Sequence, residues 1–156
     1  MIEVTKSIEI AAPVQEVYNQ WTQFEEFPRI MKEVEEVRQI DEKRLYWRAT
    51  IAGVEREWHS EIIEQVPDHW IAWRNLRGAG NAGAVLFEAI PGGTRVTLQL
   101  RYDWDQEWVT ESIGNRQALV SRVEADLRRF KEFIEQRGRA TGAWRGEIHG
   151  QRVLIT

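Results

Sequence analysis

The sequence predicts an α+β fold in which a curved, seven-stranded antiparallel sheet wraps around one long C-terminal helix, with two short helices after the first strand. Three observations carry this. A strand followed by helical spacing fills residues 2–31, strict alternation broken by hairpin turns fills 34–104, and a period of 3.6 returns over 111–137.

Ile2, Val4, Ile8 and Ile10 share one face of the first strand, opposite Glu3, Thr5, Ser7 and Glu9, with Lys6 the exception on the apolar side. Pro13 opens a helix at its first turn, where the missing N–H costs nothing, and Val14, Val17, Tyr18 and Trp21 repeat at helical spacing. A second short helix is expected from Phe24 to Met31. Val34, Val37 and Ile40 fit neither period cleanly and read as a strand with a bulge. Leu45, Trp47, Ala49 and Ile51 then alternate up to the Ala52-Gly53 turn. Arg56, Trp58, Ser60 and Ile62 alternate up to Pro67-Asp68. Ile71, Trp73 and Asn75 share a face of the next strand. Val85, Phe87 and Ala89 line another, ended by Pro91-Gly92-Gly93, and Val96, Leu98, Leu100 and Tyr102 line the last. Over 111–137, Ile113, Val120, Val123, Leu127, Phe130 and Ile134 form one stripe, widened by Leu119 and Phe133. Glu124 with Arg128 and Lys131 with Glu135 add charge pairs on its solvent side, and Gly138 stops it.

With 156 residues, the chain reads as one domain over 1–137 and a basic C-terminal tail of the same domain over 138–156. From residue 137 on, four arginines face one glutamate, and Trp144, Val153, Leu154 and Ile155 predict that this stretch packs as a loop plus an edge strand. A contact with a partner, or with a second copy in a homodimer, is the alternative.

Composition narrows the function classes. The absence of cysteine removes disulfides, thiolate metal sites, iron–sulfur clusters and cysteine nucleophiles. A net charge of −4 argues against nucleic-acid binding, which rests on a basic face. The opening MIEVTKSIEI lacks the order of a signal peptide, and no apolar run approaches the roughly 20 residues of a membrane helix. A cytoplasmic protein without integral membrane contact is the expectation.

Two motifs invite chemistry and decline it. Gly78, Gly80 and Gly83 match the dinucleotide pattern, but a strand follows where the phosphate-binding helix should start. His59, His69 and His149 form no pair at metal-ligand spacing, and the Glu57-Trp58-His59-Ser60-Glu61 run reads as an acidic strand face. No metal and no cofactor are called for. Asp103 and Asp105 read as a solvated pair at a strand end, with a shared acid–base site as the alternative.

Eight tryptophans are the strongest signal. Buried indoles fill cores, but their N–H groups also want partners, which suits a semi-polar cavity. If the apolar strand faces turn to the long helix, then Trp47, Trp58, Trp73, Phe87 and Tyr102 face it. Arg56, Ser60 and Asn75 would stand among them, and Phe130 would face them from the helix. Apolar walls with a few convergent polar groups describe a site for a small hydrophobic molecule.

The order of elements resembles the START/Bet v-allergen-like (SRPBCC) superfamily with its helix-grip fold, and more closely its bacterial polyketide cyclase/dehydrase branch. The residues that carry the resemblance include Ile10-Ala-Ala-Pro13-Val14, Trp21, Phe24-Glu-Glu-Phe27-Pro28, Trp47, Trp58, Glu61-Ile-Ile-Glu64, Ile71-Ala-Trp73, Gly83, Phe87, Thr94-Arg-Val96 and Leu127-Arg-Arg-Phe130-Lys. The likeness runs from residue 1 to about 137, and the end resembles a tail found in one subset of the branch. The resemblance implies a deep cavity between sheet and C-terminal helix for lipids, polyketides, quinones or other hydrophobic molecules. That superfamily includes enzymes, carriers and co-chaperones. A cyclase/dehydratase-type reaction and a protein-interaction role for the tail therefore stand beside ligand binding, and no cyclase catalytic set can be matched residue by residue.

Overall fold

Alternation and hairpin turns build the sheet as expected. In a computed structural model of the chain, residues 2–51, 53–77, 81–102, 116–150 and 152–154 are described. The strands are β1 (Ile2–Ile10), β2 (Val34–Gln39), β3 (Arg44–Ile51), β4 (Val54–Val66), β5 (Trp70–Arg77), β6 (Asn81–Ile90) and β7 (Gly93–Tyr102). They pair antiparallel in the order β1-β7-β6-β5-β4-β3-β2, so the first strand closes against the last. Gly53 turns the β3–β4 hairpin with φ +82, a left-handed value that suits glycine. Asp68 takes a left-handed φ of 67 at the β4–β5 turn. The bulge in β2 falls between Val34 and Glu36.

Pro13 caps α1 (Val14–Trp21), which buries Val17, Tyr18 and Trp21. A 3-10 turn (Phe24–Glu26) and the short α2 (Phe27–Ile30) follow, together covering the single second helix read from the sequence. The long helix α3 spans Arg116–Arg137, and the first residues of its expected range, 111–115, lie outside the described ones. It buries Leu119, Val120, Val123, Leu127, Phe130 and Ile134 on one stripe. Lys131 pairs with Glu135 at 2.7 Å as expected. Among the described residues Arg129 with Asp126, not Glu124 with Arg128, makes the other ion pair along the helix.

The tail adds two strands to the seven read from the sequence. β8 (Glu147–His149) pairs with β4 at Glu64 and Gln65, beyond Glu61 where β3 stops, and β9 (Arg152–Leu154) pairs with β8. On the way there the chain crosses α1. The backbone N–H of Ala140 donates to Glu16, that of Thr141 to Gln20, and that of Trp144 to the Thr22 hydroxyl. Arg145 donates to Asn19 and Asp68, both at 2.7 Å, and lies 5.5 Å from the Tyr18 ring. Ile148 is fully buried. Trp144 and Arg145 thus pack against the chain's own first helix and its C-terminal end, the loop-plus-edge-strand arrangement expected of this stretch.

Candidate ligand cavity

Between the sheet and the first half of α3 lies a cavity of about 180 Å³. Its sheet wall follows from alternation: Trp47 and Leu45 on β3, Trp58, Ser60 and Ile62 on β4, and Ile71, Trp73 and Asn75 on β5. Leu98, Leu100 and Tyr102 of β7 continue it. The other wall comes from Leu119, Arg122, Val123 and Asp126, spaced i, i+3, i+4, i+7 along α3. Trp21, Phe24, Phe27 and Met31 close one end from the two short helices and their connection.

The rings are fixed by neighbours. Trp47 and Trp58 are cross-strand partners whose planes are 2° apart with centroids at 6.1 Å, and Phe27 tilts against Trp47 at 5.7 Å. The Trp47 indole N–H donates to the Ser60 hydroxyl at 3.0 Å. Opposite Trp73, Gly83 leaves room for the indole: a Cβ there would lie 2.6 Å from Trp73 Cζ2. The glycine that matched a nucleotide motif is therefore an aromatic seat between two strands, and no helix follows it.

The polar end is made by Tyr102, Arg122 and Asp126. Arg122 Nε lies 2.9 Å from Glu33 Oε2, and Asp126 accepts from Arg129 at 3.3 Å. Burial pushes the Asp126 carboxyl up from 3.8 to about 6, against the pull of Arg129 and Arg122, while nearby Glu33 raises it further. Burial also pushes the Tyr102 phenol up to about 12, with Arg122 opposing and Asp126 adding to the rise. The Asn75 Nδ2 is buried without a hydrogen-bond partner among the described residues.

Of the nine residues singled out in the sequence, Trp47, Trp58, Ser60, Trp73, Asn75 and Tyr102 line the cavity. Phe87 and Phe130 do not. Phe87 packs edge-on against Tyr18 at 5.3 Å and Trp21 at 6.1 Å, and Phe130 sits 4.9 Å from Trp21, fully buried. Both belong to the solid core behind Trp21, because alternation gives the face of a strand but not its depth in the fold. Arg56 is also absent from the wall. It lies at the turn end of the β3–β4 hairpin, opposite Ala49, while the cavity touches β4 only at Trp58, Ser60 and Ile62. Arg122 and Asp126 also line the cavity and were missed, because charged residues on an amphipathic helix read as solvent-facing. Asp103 and Asp105 lie outside the described residues.

Residues 10–135 match the polyketide cyclase/dehydrase and lipid transport family. The chain belongs to that family. A protein of Streptomyces lincolnensis, described as an uncharacterized 17.2 kDa protein in the melC2-rnhH intergenic region, is 43% identical over 151 residues, covering 95% of this chain and 99% of that one. A crystal structure from Deinococcus radiodurans matches with a TM-score of 0.68 and 27% identity, over 87% of this chain and 98% of the other. The Zhui aromatase/cyclase from Streptomyces matches at 0.69 and 22% identity, over 91% and 98%, which shows the shared helix-grip fold. No helix of the described residues is long and apolar enough to cross a membrane.

Proposed function

We propose that this family member binds a small hydrophobic, ring-bearing molecule between its sheet and α3. One observation carries the reading: the curved sheet and helix leave a hollow walled by stacked indoles, with a few polar side chains at its edge. A dry core of the same composition would have closed over that space, since voids cost contacts on every side. Four tryptophans line the hollow, so their emission reports occupancy. Titration with naphthalene-sized aromatics is expected to give a saturable change that the cavity-filling Leu100→Phe abolishes. No saturable change with any aromatic or lipid probe defeats the reading.

A cyclase/dehydratase-type reaction is the second reading, and Asp126 favours it. A cavity carboxyl raised to about 6 is half ionised near pH 6 and mostly carboxylate at neutral pH, the form that takes a proton from a carbon beside a carbonyl. As the carboxylate it would take that proton, the electron pair moving onto the carbonyl oxygen, and would return it in the reverse step. Deuterium uptake from D₂O into an aryl β-diketone tests this. Uptake above the buffer rate must be lost in Asp126→Asn; equal uptake by both proteins excludes the role.

A further inference from the structure

We infer that Asp126 is the specificity-determining residue of the cavity, selecting one- or two-ring aromatics that carry a neutral hydroxyl donor. The inference rests on the binding reading above and narrows it to a ligand class. Asp126 stands on the face of α3 that meets the sheet, one turn from Val123 and two from Leu119, both buried, and lines the hollow with them. Glu124 and Arg128, two residues to either side, carry the solvent face. The Asp126 side chain still keeps 24% of its surface, so its carboxyl is not sealed into packed core. Among the described residues it receives one hydrogen bond, a long one of 3.3 Å from Arg129 to Oδ1, and Oδ2 receives none. A carboxylate has about four acceptor positions on its two oxygens, so the helix wall offers an arriving donor an open acceptor.

The charges around Asp126 set the charge of the ligand. Arg122 and Arg129 on α3, Glu33 just ahead of β2 and Tyr102 on β7 are the described titratable groups that act on it. Two guanidinium groups oppose an ammonium, and the apolar walls add the cost of desolvating one. An anion is repelled by Asp126 itself and finds Arg122 already 2.9 Å from Glu33. A neutral hydroxyl avoids both penalties and gives its hydrogen to the carboxylate in a charge-assisted bond. Trp47, Trp58 and Trp73 on the facing wall take the ring. Volume sets the size: a dry cavity of about 150 Å³ holds benzene, so about 180 Å³ suits one or two rings.

The test titrates the full chain with 2-naphthol and 2-methylnaphthalene, matched in shape but not in donor, by calorimetry at pH 5 and pH 7.5. A hydroxyl should bind the carboxylate about tenfold tighter than the acid, the gap between a charge-assisted and a neutral hydrogen bond. With the carboxyl raised to about 6, the acid dominates at pH 5 and the carboxylate at pH 7.5. Preference for the carboxylate makes affinity rise with pH, so 2-naphthol should bind about fivefold tighter at pH 7.5 than at pH 5. 2-Methylnaphthalene should bind equally or more weakly at the higher pH. Asp126→Asn, its fold confirmed by urea midpoints, should abolish the pH dependence and cut the advantage of 2-naphthol over 2-methylnaphthalene at pH 7.5 about tenfold. A pH trend common to both probes, or one retained in Asp126→Asn, overturns the inference while leaving the cavity reading intact. Tighter binding of the cation 2-(aminomethyl)naphthalene than of 2-naphthol does the same. Binding of no probe to the wild type at either pH overturns both.

Discussion

Replacing Asp126 by Asn isolates the energetic cost of holding a carboxylate in the cavity wall. The side chain is 24% exposed, and burial pushes its carboxyl up to about 6, against 3.8 ordinarily. A raised acid favours folding while it is protonated. Its stabilising contribution is complete below 3.8 and is lost as the pH climbs through 6. The distance between those values corresponds to about 3 kcal/mol, of which about 2 kcal/mol falls between pH 4.5 and 8. Asn mimics the neutral acid at every pH, so Asp126→Asn should gain on the wild type by about 2 kcal/mol across that interval. The pull of Arg129 on the carboxylate is already contained in the value of about 6, so it subtracts nothing further from that difference. Urea unfolding of both proteins at pH 4.5, 6 and 8 measures the difference directly. A difference that stays constant with pH, or shrinks as pH rises, refutes the burial argument.

Other perturbations probe other parts of the fold. Gly83→Ala places a Cβ 2.6 Å from Trp73 and 2.9 Å from Leu100; denaturant melts should show a loss of about 1–3 kcal/mol and near-UV circular dichroism a moved indole. Ile148→Ala should cost about 2–5 kcal/mol in the same melts, because the tail strand it anchors is part of the packed structure; a loss below 0.5 kcal/mol would mean the tail is dispensable. Glu135 accepts from the Ala11 backbone N–H at 2.8 Å and from Lys131 at 2.7 Å, which holds its carboxyl below the usual range. Its stabilising contribution is present above the ordinary 4.5 and fades as pH falls, so Glu135→Gln should be less stable than the wild type at pH 7 and converge with it in acid.

Much of the fold was legible because strands and helices impose different periods. Trp47, Trp58, Trp73 and Tyr102 stood at alternate positions between hairpin turns, and all four line the cavity. Depth was not legible. Phe87 has the same alternation as Trp73 yet meets Tyr18 and Trp21, because α1 covers that part of the sheet and the position of α1 is a tertiary fact. Arg122 and Asp126 escaped notice for a related reason: charged residues on an amphipathic helix read as solvent-facing, and only the sheet's curvature turns this part of α3 over a hollow. The tail's apolar residues announced packing, but nothing local could show that β4 outruns β3 and leaves Glu64 and Gln65 free to receive β8.

The claim beneath all of this is that the space between the stacked indoles and α3 is open to a ligand. A crystal structure of the protein grown with 2-acetonaphthone tests it most directly. The account predicts ring density between sheet and helix in contact with Trp47, Trp58 and Val123. Indoles swung inward to fill the space, with no ligand between sheet and helix, would contradict it.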